Sequence, residues 1–174
     1  MNPEVTSGVG FAGIARGSAL ASIEQKHVQY VAMADRRAQG LLTITALLMP
    51  LALSRINQPE CQIGVLAFLI FATISIVASV LVLMPKHYRK DNGSSEYLLH
   101  FSGISQLSEK EYLERMARMT ENLPSLTQEI SRELYHISKD VLVPKFRLLR
   151  IAYLSFLSGM VLSVWLVVQG YLVA

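Results

Sequence analysis

Two runs of twenty-four residues without one charged side chain, Cys61–Met84 and Ile151–Ala174, constrain this chain more than any other feature. About 20 helical residues cross the roughly 30 Å hydrocarbon core of a bilayer, so each run can span it with some tilt. Charge fences both. Glu60 precedes the first and Lys86, Arg89 and Lys90 follow it, while Lys145, Arg147 and Arg150 lead into the second. A third run, residues 38–54, holds seventeen residues between Arg36/Arg37 and Arg55. It sits at the lower limit for a span, and Pro50 is expected to kink it near its outer end. Tyr153 and Tyr171 fall near the ends of the last run, where aromatic belts sit. The fold class implied is an all-α membrane protein with three transmembrane helices.

Composition narrows the function classes. The chain is 52% apolar and only 17% charged, against about 25% charged in soluble domains. That much apolar surface excludes disorder as the main state. Cys61 is the single cysteine, which excludes a disulfide framework and a cysteine-based zinc cage. A net charge of +3 is compatible with nucleic acid, but basic residues in membrane chains set topology, so no nucleic-acid partner is expected. Four Lys and Arg precede residue 38, eleven lie in 86–150, and Arg55 is the only other one. Three spans put fifteen of the sixteen on one side, which the positive-inside rule makes the cytoplasm. The expected layout is a flexible glycine-rich tail at 1–18, a cytoplasmic helix at 19–37 and a first span at 38–54. A periplasmic loop at 55–60, a second span at 61–84, a cytoplasmic helical hairpin at 85–150 and a last span at 151–174 follow. The N-terminus is then cytoplasmic and the C-terminus periplasmic, with the first span serving as its own signal anchor.

The cytoplasmic stretches read as helices. Leu20, Ile23, His27, Tyr30, Ala34 and Leu41 recur at helical spacing and form a seam. That seam suits packing against the protein's own helices or association between subunits. Ser108 to Glu111 is a capping box that opens a helix with the stripe Tyr112, Leu113, Met116, Met119 and Leu123. Pro124 ends it, and Ser125 to Gln128 reads as a second capping box, opening the stripe Leu126, Ile130, Leu134, Ile137 and Val141. Pro144 should loosen this helix before the membrane. The hairpin, covered by the 19–37 helix, forms a small cytoplasmic cap.

Chemistry-bearing motifs are few. Gly8 to Gly13 spells G-x-G-x-x-G, but seven preceding residues, Pro3 among them, do not supply the strand that a dinucleotide site needs. His27, His87, His100 and His136 include no pair at helical ligand spacing, so no metal is expected. No nucleophile elbow or Walker lysine is present. No catalytic residue, and hence no enzyme, is expected. Asp35, beside Arg36 and Arg37, lies near the seam, where Arg147 or Arg150 is a candidate partner. Eight cations gather at the membrane entrances: Arg36 and Arg37, then Lys86, Arg89 and Lys90, then Lys145, Arg147 and Arg150. Each attracts anionic headgroups by about 1 kcal/mol near the surface, and arginines there equally suit a phosphate-bearing ligand.

Three stretches carry a resemblance: Ala34-Asp35-Arg36-Arg37-Ala38-Gln39-Gly40-Leu41-Leu42, the loop and capping box from Leu99 to Tyr112, and Leu134 to Lys139 followed by Lys145 to Tyr153. Together, over residues 20–170, they resemble the transmembrane effectors of Pycsar, the bacterial anti-phage system that signals through cyclic pyrimidine nucleotides. The resemblance implies a companion cyclase making cyclic UMP or cyclic CMP, and an effector that responds by impairing the inner membrane and killing the cell. It implies membrane lipid and that nucleotide as partners, a homo-oligomer, and no cofactor. Sixty-five helical residues leave no room for a β-roll, so the ligand is expected among helices. Its phosphate is expected on Arg36, Arg37, Arg147 or Arg150, or at Ser105 and Ser108 near a helix N-terminus. Tyr112, Tyr135 or Phe146 would stack on the base. A membrane scaffold docking a partner through its cytoplasmic helices, and a constitutive holin-like pore, are the alternatives.

Overall fold

The computed structural model describes residues 3–84, 104 and 107–173. Ser105, Lys86, Arg89, Lys90, His87 and His100 lie outside the described residues, as does most of the first half of the expected hairpin. Helix α1 runs Pro3–Leu53, α2 Pro59–Leu83, α3 Glu109–Glu121 and α4 Leu123–His136. A π-helical segment, Ile137–Leu142, leads into α5, Val143–Val173. No strand occurs among the described residues. The chain divides into two compact units, one of residues 1–30 and 86–142, the other of 31–85 and 143–174.

In the second unit α2 and α5 pack antiparallel along their length. Glu60 meets Gly170, Gly64 meets Val167, and Phe71 meets Gly159. Further along, the Ser75 hydroxyl donates to the Ala152 carbonyl at 2.9 Å. The later part of α1 shares their core: Leu41 clusters with Phe68, Ala72, Ala152 and Phe156, and Ala38 with Val82 and Leu149. Its most deeply buried positions are mostly small or hydroxylated, with Ala34, Ala38, Thr45, Ala72, Ser75, Ser79 and Ala152 each at most 1% exposed. Large aliphatics point outward instead, among them Ile63, Ile70 and Ile74 on α2 and Leu157, Val161 and Val164 on α5. A water-soluble bundle sorts these groups the other way. Small interior residues let helix backbones approach in a solvent as apolar as leucine. Among the described residues, two helices are long and apolar enough to cross a membrane: α2, and the continuous helix over 124–173 that ends in α5. The run at 38–54 belongs to α1, which continues through Pro50 to Leu53 and presents Ile44, Leu47 and Leu51 on its exposed face.

The first unit departs from expectation in three places. The glycine-rich stretch read as a flexible tail is helical from Pro3. Glycine costs about 1 kcal/mol per residue in a helix interior, yet here it extends a helix already nucleated, where each added residue forms its own hydrogen bond. Secondly, α4 opens two residues before the second capping box, with Asn122 as N-cap and proline in the first turn. Pro124 starts this helix well because its missing N–H has no partner to lose there and its φ is already helical. Ser125 is therefore inside the first turn, donating to the carbonyls of Asn122 and Met119 at 2.7 and 3.3 Å. Thirdly, the loosening assigned to Pro144 falls one turn earlier, as the π segment. The proline ring crowds the carbonyl four residues back, at Asp140, and a wider preceding turn relieves it.

Candidate functional site

At one end of the second unit, Lys145 on α5 donates to the Asp35 carboxylate on α1, Nζ to Oδ1 at 2.5 Å. The lysine side chain is 8% exposed and the aspartate 31%. The expectation of a basic partner for Asp35 holds, but the partner is neither Arg147 nor Arg150. Lys145, Leu149, Ala152, Phe156 and Gly159 form the buried stripe of α5, and positions 147 and 150 fall outside it, where both arginines are exposed. Arg36 and Arg37 are likewise exposed, beside buried Ala38. All four arginines thus gather at the Ala38–Val82–Leu149 end of the bundle, on outward faces. Phe146 packs against that same apolar cluster.

The remaining candidates lie in the first unit. Ser108 caps α3, its hydroxyl accepting from the Glu111 amide at 3.3 Å. The Glu111 carboxylate pairs forward with Arg115. Tyr112 is half-buried on α3. Tyr135 is exposed on α4 with the Lys139 ammonium 5.4 Å from its ring centre. That tyrosine also holds the Lys139 ammonium above its ordinary pKa, by hydrogen bonding and then by charge. Among the described residues no three His, Cys, Asp or Glu side chains converge as a metal site.

Sequence reasoning missed the joint that α1 makes with α4 and the π segment after it in this unit. Nε2 of His27 lies 2.6 Å from the Ser138 hydroxyl, and Nδ1 lies 2.8 Å from the Ile23 carbonyl. One turn toward the N-terminus Glu24 faces Glu133, whose carboxyl is raised above the usual carboxylate range, by burial first and by Glu24 second. Further along, a cavity of about 650 Å³ opens between residues 13–24 of α1 and 124–131 of α4. The raised carboxyl has a consequence for stability. Its proton is held more tightly in the folded chain, so its contribution falls as pH climbs from the ordinary carboxylate value through the raised one. Glu133→Gln should therefore melt on the order of 1–2 °C above the parent at neutral pH and level with it near pH 4, in detergent scans.

A model of the Pycsar effector protein domain matches residues 19–171. The chain belongs to the Pycsar effector family. An anti-phage effector role comes with that membership, and with the two apolar helices it makes this a membrane protein. The Pycsar effector domain takes in α1 from Ala19, α2 to α4 and all but the last two residues of α5, so the Asp35–Lys145 pair lies inside it. The α1 wall of the cavity straddles its start. No curated protein and no solved structure matches the chain.

Proposed function

We propose that this chain is the membrane-acting arm of its Pycsar system. It senses cyclic UMP or cyclic CMP made by a companion cyclase during infection and impairs the inner membrane, so that the cell dies before phage mature. The effector-domain match over residues 19–171 carries this reading. A bundle with large aliphatics on its exterior and small or hydroxylated residues at its most buried positions supports it.

In this reading α1 supplies a third crossing. The exposed faces of Ile44, Leu47 and Leu51 continue the lipid-facing exterior beyond Arg37. Residues 1–37 and 86–150 are cytoplasmic and the C-terminus is periplasmic. Arg36, Arg37, Arg147 and Arg150, all outward, take anionic headgroups, each at about 1 kcal/mol. The chain works as a homo-oligomer in lipid, with no catalytic residue, metal, cofactor or nucleic acid. Nucleotide binding favours one of two states by its differential affinity for them. The change passes along residues 137–150, where a π turn and a proline interrupt regular α-helical bonding.

Expression in a bacterial host with and without an active pyrimidine cyclase tests the proposal. Viability and membrane potential should collapse only when both proteins are present. Equal killing without the cyclase makes the protein a constitutive pore. Survival with both, at normal expression, leaves a scaffold.

A further inference from the structure

The geometry points to the cavity between α1 and α4 of the first unit as the binding site for the cyclic mononucleotide, its phosphate toward Arg16 and its base toward Glu24. This assignment rests on the reading of the chain as a cyclic-nucleotide sensor and adds where the sensing occurs. Its volume, about 650 Å³, lies within the roughly 300–1,000 Å³ of small-molecule sites. The lining is bipolar. Arg16 supplies a guanidinium that fits a phosphodiester monoanion, and Glu24 supplies a carboxylate that accepts from the N–H edge of a pyrimidine. The two are eight residues apart on one helix, about 12 Å along its axis, on the order of the span of a mononucleotide from phosphate to base edge. Leu20 on α1 and Ile130 on α4 line the stretch between, suiting ribose and base faces, and Gln128 adds an amide.

Gly17 matters to the shape. A Cβ built there meets nothing within 4 Å, although the residue lines the cavity. A larger side chain at 17 therefore enters open space instead of striking backbone. That separates this site from the membrane-end arginines and from Tyr112 and Tyr135, none of which lines it.

The test is calorimetric titration of the full chain in lipid nanodiscs with cyclic UMP and cyclic CMP. Arg16→Ala should weaken binding of the preferred nucleotide about tenfold or more, the loss of one charge-assisted contact. Gly17→Phe should abolish binding, and Gly17→Ala, which fills little and favours helix, should retain it. Helix content by circular dichroism should match the parent in all three. Parent protein that binds, with Arg16→Ala and Gly17→Phe binding equally well, overturns the cavity as the site and leaves the sensor reading standing. Parent protein that binds neither nucleotide overturns both.

Discussion

Asp35→Ala is expected to destabilise the second unit by about 3 kcal/mol or more, the cost of stranding a buried charge. The Lys145 side chain is 8% exposed and Asp35 Oδ1 lies 2.5 Å from its Nζ. The buried residues nearest to the pair in sequence, Ala34 and Ala38 on α1 and Leu149 on α5, carry no side-chain acceptor to replace the carboxylate. The partners are not equivalent. Asp35 keeps 31% of its side chain exposed, so Lys145→Met leaves a carboxylate that water still reaches and should cost nearer 1 kcal/mol. The double variant Asp35→Ala/Lys145→Met should recover to within about 1 kcal/mol of the parent, because apolar replacement of a buried pair is close to neutral. Melting in detergent reads this directly: a fall of roughly 6–12 °C for Asp35→Ala, a small one for Lys145→Met, and recovery in the double variant. A double variant less stable than Asp35→Ala alone would mean that the pair is not the source of the effect.

The same pair shows what was legible in the chain and what was not. Three long helical stretches could be read from the absence of charge in 61–84 and 151–174 and the short gap before Arg55, because a charge in the bilayer core is costly enough to leave a clear pattern. Ser108 could be read as a cap because an N-cap acts over three residues. Ser125 could not, because two equally local signals competed and a proline at the start of α4 outweighed a serine within it. Lys145 was legible only through the stripe 145, 149, 152, 156, which marks it as inward. Composition argued the other way, since lysine at a membrane entrance ordinarily reaches outward. The cavity at 13–24 and 124–131 pairs residues a hundred or more positions apart. Part of its wall, Gly13, Arg16 and Gly17, comes from the glycine-rich stretch read as a tail, whose local propensity argues against helix.

The interior of the bundle also explains why small residues sit where they do on α2 and α5. A Cβ at Gly64 falls 2.6 Å from a Val167 methyl and 2.8 Å from the Ser163 carbonyl oxygen. At Gly170 it overlaps the Glu60 carbonyl, and at Gly159 it lies 2.5 Å from the Phe71 Cβ. The obstacle at 64 and 170 includes backbone, so a rotamer change alone relieves neither. The helices have to separate along the face that buries Ser75 against the Ala152 carbonyl. Overpacking of this kind costs about 1–3 kcal/mol per site. Gly64→Ala and Gly170→Ala act about one turn apart on one interface, so one helix separation relieves part of both; together they should cost more than either alone but less than the sum, and reduce folded protein on size-exclusion in detergent. Gly40→Ala provides the contrast: its Cβ meets nothing within 4 Å, and the gain in helix propensity, up to about 1 kcal/mol, should hold or raise the melting point. If the pair at 64 and 170 melts with the parent while Gly40→Ala does too, α2 and α5 do not pack at this distance in the membrane. If both fall alike, the loss is a general intolerance of alanine for glycine in these helices. A fall confined to the α2–α5 pair shows that backbone proximity, not helix propensity, keeps glycine at those positions.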